Sequence, residues 1–260
     1  MGTNRGETLR AIFFDAGNTL VRMNYAAIVE QLAVLGHQVA LDVVQEAEWR
    51  ARVRLDDELL ARPGVSTESG PSRHAYLRLV LEELGLADEA TARAMILWRE
   101  RYHAPIGIFD IVDPEAAAAL ILARQAGLRT AVISNSNGTV EALLTSLGLA
   151  PHLDFVVDSF VVGLEKPDAR IFQLAVTRAG LEPSQAVYVG DLYSVDVAGA
   201  RGAGLDAVLI DPGGHWGRRD CPRASGPMEA VRLVLARQNI AGGPATQAGR
   251  REDTGAGPRR

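Results

Sequence analysis

With 260 residues and an apolar fraction of 47%, the chain is long enough for one large domain or a core with an insert, and apolar enough to bury it. A formal charge of −5 and a pI near 5.6 leave no basic footprint for nucleic acid, and no run approaches the roughly 20 apolar residues that span a bilayer. The single cysteine, Cys221, excludes an internal disulfide and a cysteine-rich metal site; with a polar N-terminus and no signal-like apolar run, it sets the expectation of a reducing cytoplasm.

In chain order, "AIFFD" (11–15) reads as a buried strand ending in an acid. Residues 23 to 104 hold no strand pattern and read as three or four amphipathic helices, broken near Gly36, over 62–72 and over 85–88. Strand and helix patterns then alternate: helix 113–127, strand 130–135, helix 139–148, strand 155–159, helix 168–180, strand 186–191, helix 194–204 and strand 207–211. Each of these helices stops at a glycine, and both faces of the strands are apolar, as in parallel strands covered by helices. The expected fold is an α/β doubly wound parallel sheet, a Rossmann-like core of residues 1–22 and 105–240, with an all-helical domain of residues 23–104 inserted after the first strand. Residues 241–260 lack apolar periodicity and read as a disordered tail.

Polar residues stand at or just beyond the carboxyl ends of these strands: Asp15, Ser134 with Asn135, Lys166, Asp191 and Asp196. In parallel α/β sheets ligands bind at that edge. Three carboxylates can hold Mg2+ through oxygen, a hydroxyl and an ammonium can receive phosphate oxygens, and Asp15 can attack phosphorus as a covalent nucleophile. Of the 27 lysine and arginine residues only Lys166 is a lysine; a site needing a compact point charge instead of a planar fork is a reason to keep it.

Four stretches, "FFDAGNTL", "VISNSN", "EKPDARIF" and "VGDLYSVDVAGARGAG", together resemble the four ordered motifs of the haloacid dehalogenase-like (HAD) hydrolase superfamily, in its helical-cap group, over residues 10 to about 213. The resemblance implies a Mg2+-dependent hydrolase acting on a small phosphorylated substrate. It makes Asp15 the nucleophile, Ser134 and Asn135 substrate-binding residues, and Lys166 the cation that offsets the transferring group's charge. Asp15, the backbone carbonyl of Gly17, Asp191 and Asp196 would hold the metal. The first and fourth of the predicted strands would lie side by side.

At Gly17 the chain departs from the pattern, because the family's phosphatases carry a second aspartate there as general acid and base. Positioned acid–base catalysis contributes roughly 10²–10⁴-fold, so its loss weighs most on alkyl phosphates, whose leaving groups need a proton. His103, His215 and Tyr193 lie in loops and are the candidates for a replacement proton donor. A catalytically weak binding or regulatory protein on the same scaffold is an alternative, as is a non-phosphatase hydrolase such as a dehalogenase. The arginines at 50, 52 and 54 read as a solvated helix face, with contact between an arginine of the insert and substrate as the alternative.

Overall fold

The structure is a computed structural model that describes residues 8–62 and 64–241; the expected tail, residues 241–260, falls outside them except for its first residue. β1 (Ala11–Phe14) is followed by a two-residue strand, β2 (Val21–Arg22), and then by α1 (Tyr25–Val34), α2 (Leu41–Leu55), α3 (Gly70–Glu83) and α4 (Glu89–Arg101). The starts of three of these helices are set by side-chain caps: Asn24 accepts from Ala27 N, Ser69 from Ser72 N and Asp88 from Thr91 N. β3 (Ile111–Val112) pairs antiparallel with β2, so the chain enters and leaves the helical insert through a two-stranded ribbon.

The remaining elements are α5 (Ala116–Gln125), β4 (Arg129–Ser134), α6 (Val140–Ser146), β5 (Phe155–Asp158), α7 (Ser159–Val162), α8 (Ala169–Ala179), β6 (Ala186–Gly190), α9 (Ala198–Gly202), β7 (Asp206–Ile210), β8 (Arg223–Ala224) and α10 (Pro227–Ala241). Six strands form one sheet in the order β5-β4-β1-β6-β7-β8, every pair parallel. The five expected strands are all present, and β1 lies between β4 and β6. Both faces of the sheet are covered. Ile12 and Phe14 pack with residues of α5, α6 and α10 on one side, while Ala11 and Phe13 pack with residues of α8 and α9 on the other, as the two-residue strand period requires. α8 shows the helix grammar plainly: Asp168 accepts from Arg170 N, and Gly180 closes the helix at φ 66°, a left-handed angle that glycine adopts without steric cost.

Several elements depart from the sequence expectation. β2, β3 and β8 are two residues long, too short to carry any periodicity. α10 is a further helix beyond the four read between strands. The predicted helix 194–204 is split, with a π-turn at Tyr193–Val197 leading into α9; the wider turn places Asp196 beneath the end of β6. A third apolar cluster fills the interior of α1 to α4 and reaches Ile108 and Val195 of the sheet domain. Among the described residues no helix is long and apolar enough to cross a membrane.

Candidate active site

The carboxyl ends of β1, β4 and β6 converge. Asp15 directly follows β1, and its amide donates to Val189 O of β6 at 2.8 Å. Ser134 ends β4, with its hydroxyl 3.2 Å from Asn135 O. Asp191 directly follows β6, and Asp196 folds back under it. The Asp196 carboxylate accepts from the amides of Asp191 and Leu192 at 3.0 and 2.9 Å. Gly190 makes this possible, because a Cβ there would lie 2.4 Å from the Asp196 carboxyl carbon.

Lys166 arrives from the loop ahead of α8 and is 4% exposed. Its three ammonium protons find three acceptors: Asp15 Oδ1 at 2.7 Å, Asp196 Oδ1 at 2.8 Å and Tyr188 OH at 2.8 Å. The Tyr188 hydroxyl in turn donates a hydrogen bond to Ile133 O at 2.8 Å. A single nitrogen donating to three converging oxygens is what an ammonium does and a planar guanidinium does not, which gives the lone lysine a physical reason. Its loop is tied down by Asn135, whose Oδ1 accepts from Lys166 N at 2.8 Å while Nδ2 reaches Lys166 O, Glu165 Oε1 and Thr67 Oγ1. These bonds occupy the Asn135 amide in holding the loop.

Asp15, Asp191 and Asp196 each offer a carboxylate oxygen within 4.8 Å of the others, all buried. Two cations face them. Lys166 bridges Asp15 and Asp196, and Arg52 Nε lies 3.4 Å from Asp191 Oδ2. Three acids against two cations leave the cluster short of positive charge. Burial accordingly raises the Asp15 carboxyl to about 6 against the pull of Lys166, and raises Asp191 well above the usual carboxylate range despite Arg52. Hard oxygen donors with a charge deficit fit Mg2+.

Arg52 corrects the sequence reading. Arg50 and Arg54 do lie on the outer face of α2, paired with Glu46 and with Glu58, Glu82 and Glu83. Arg52, half a turn away from both, is 3% exposed and belongs to the apolar stripe of Val44, Ala47, Ala51 and Leu55. It forks onto Glu48 at 3.0 and 2.7 Å. Glu48 also accepts from Tyr25, Tyr76 and Asn18. The signal was in the helix phase: Glu48 and Arg52 are four residues apart on the apolar face.

A cavity of about 470 Å3 opens over the cluster, lined by Asp15, Gly17, Ser134, Lys166, Asp191 and Asp196 from the sheet domain and by Glu68, Arg73, His74, Arg99 and Glu100 from the insert. None of His103, His215 and Tyr193 lines it. His103 contacts Asp110 at 2.6 Å, Tyr193 donates to Asp220, and His215 Nε2 lies 3.0 Å from Glu46 Oε1 outside hydrogen-bonding geometry. Beside Gly17 there is room: an added Cβ would meet Phe109 Cδ1 at 3.8 Å and Asp15 Oδ2 at 3.9 Å, both ordinary contacts. Asn18 takes a left-handed angle, φ 51°, which asparagine tolerates better than most residues.

The family description "haloacid dehalogenase-like hydrolase" matches residues 9–204. A phosphoserine phosphatase from Thermus thermophilus is 40% identical over 147 residues, covering 56% of this chain and 57% of that protein. A ribulose-1,5-bisphosphate 5-phosphatase from Halopiger xanaduensis is 31% identical over 209 residues, covering 78% and 84%. Among solved structures, an L-2-haloacid dehalogenase shares the fold with a TM-score of 0.59 at 22% identity, covering 88% of this chain and 100% of that one.

Proposed function

Given that the chain belongs to the haloacid dehalogenase-like hydrolase family, we propose that it is a Mg2+-dependent phosphatase of small phosphorylated metabolites that works through an aspartyl-phosphate on Asp15. The observation that carries this reading is Lys166 Nζ held between Asp15 Oδ1 and Asp196 Oδ1 at the floor of the cavity. An ammonium so placed neutralises charge on a phosphoryl group approaching Asp15 and keeps one carboxylate oxygen engaged while the other is left to attack. Relatives named as phosphatases support the same reaction class.

Asp15, Asp191, Asp196 and the Gly17 carbonyl would hold the metal, which when bound supplies a Lewis acid for the phosphoryl oxygens. The chain's own residues do the rest. An Asp15 carboxylate oxygen forms a bond to phosphorus as the ester oxygen departs with the bonding pair. Water then attacks the acyl phosphate, releasing inorganic phosphate and restoring the carboxylate. Ser134 and Lys166 receive phosphoryl oxygens, and the insert encloses the reacting centre. With glycine at position 17, the leaving oxygen has no acid from that side chain, so aryl and acyl phosphates are the better substrates.

An assay with Mg2+ across aryl, acyl and alkyl phosphates tests this. Aryl and acyl phosphates are expected to turn over, with alkyl phosphates slower by about 10²–10⁴-fold. Gly17 also favours a second reading, a binding protein with the site retained and turnover lost. Mg2+-dependent ligand binding without turnover of any phosphate would support that reading and overturn the first.

A further inference from the structure

Each charged cation near the Asp15 end of the cavity has an acid to answer it. Lys166 has Asp15 and Asp196, and Arg52 has Glu48 and Asp191. On the insert side, His74 contacts Glu100 at 3.0 Å, and Arg73 reaches Glu68 at 3.7 Å. Arg99 of α4 is different. It is half-buried in the cavity wall, and its Nη1 donates to the backbone carbonyl of Arg73. Among the described residues no carboxylate forms an ion pair with it. Burial and the like charge of Arg73 oppose its charge, pushing the guanidinium down to about 10, so it stays protonated at neutral pH.

A half-buried guanidinium with an arginine beside it and no ion-paired acid is better accommodated when a ligand supplies the anion. Its remaining donors form the fork that matches carboxylate or phosphate. The cavity also has the size of a small-metabolite site.

We infer that the substrate carries a second anionic group besides the phosphoryl group, and that Arg99, with Arg73, receives it on the insert side of the cavity. This rests on the phosphatase reading, which places the phosphoryl group at Asp15. Glu68 also lines the cavity, and burial raises its carboxyl above the ordinary value against the pull of Arg73 and Arg99.

Two three-carbon esters that differ in one group provide the test: 3-phosphoglycerate carries a carboxylate where glycerol 3-phosphate carries an uncharged alcohol. With Mg2+, kcat/KM for the acid is expected to exceed that for the alcohol by about 10- to 100-fold, mostly in KM. Arg99→Gln should bring the ratio close to one and Arg99→Lys should retain part of it, with Arg73→Gln as the second variant. 1,3-Propanediol bisphosphate in the same assay distinguishes a site for phosphate from one for carboxylate. Thermal melting reads binding without turnover: 3-phosphoglycerate should raise the wild-type Tm more than glycerol 3-phosphate does, and the difference should vanish in Arg99→Gln. Equal responses to all three compounds in wild type, or an Arg99→Gln loss equal for acid and alcohol, would overturn the subsite. Failure of the phosphatase reading shows separately, as absent turnover of aryl and acyl phosphates with the melting difference intact.

Discussion

Asp15→Asn is expected to keep the fold and lose turnover by about 10⁴-fold or more on every phosphate that the wild type hydrolyses. The amide is nearly isosteric, and Lys166 retains Asp196 and Tyr188 as acceptors, so the floor of the cavity is preserved. What disappears is the nucleophile, since an amide oxygen forms no stable bond to phosphorus. Stability should move the other way in chelator. The Asp15 carboxyl is raised in the folded state from 3.8 to about 6, first by burial. A raised acid contributes stability below its unfolded value and loses it as pH rises through the folded one. At pH 7.5 the metal-free wild type therefore carries an unfavourable buried charge that asparagine removes, and Asp15→Asn should melt at the same temperature or higher. A variant that folds and still turns over substrate would remove Asp15 from the nucleophile's role.

Gly17→Asp is expected to raise kcat on alkyl phosphates by about 10²–10⁴-fold, a barrier reduction of roughly 3–5 kcal/mol. The first atom of the new side chain fits, with its nearest neighbours at 3.8 and 3.9 Å. The backbone there is outside the left-handed region, so aspartate brings no strain. Its carboxyl would enter a site already crowded with acids, where like charge and burial favour the protonated form that a general acid requires. Aryl phosphates should change little, because their leaving groups depart without much protonation. Rates measured against leaving-group pKa would show the difference as a flattened slope. A folded Gly17→Asp protein with an unchanged or lower alkyl rate would mean that proton transfer is not what limits this site.

How far the sequence carried depended on whether each signal was local. Strand segments such as "AIFFD" and "AVYVGD" declared themselves because both faces are buried, and Asp15, Ser134 and Asp191 followed from standing at their ends. Lys166 stood out by composition before its three acceptors were known. The two-residue strands β2 and β3 offered no pattern to read. The charges of the insert were harder still. Arg52 looked like its exposed neighbours until the phase of α2 put it opposite them, while Arg99, Arg73 and Glu68 acquire meaning only when the insert packs over the sheet. That contact joins residues far apart in the chain, and no window of sequence contains it. The loop histidines and Tyr193 were attractive as proton donors by residue type alone, and each has a partner or position outside the cavity instead.

The most direct test is to trap the covalent intermediate. Wild-type protein mixed with an aryl phosphate and Mg2+, quenched in acid within the first turnovers and digested, should yield a phosphorylated peptide carrying Asp15. The label should be labile to hydroxylamine, as an acyl phosphate is, and absent from Asp15→Asn and from protein held in chelator. Rapid hydrolysis with no label on that peptide, or a label on another residue, would contradict nucleophilic attack by Asp15.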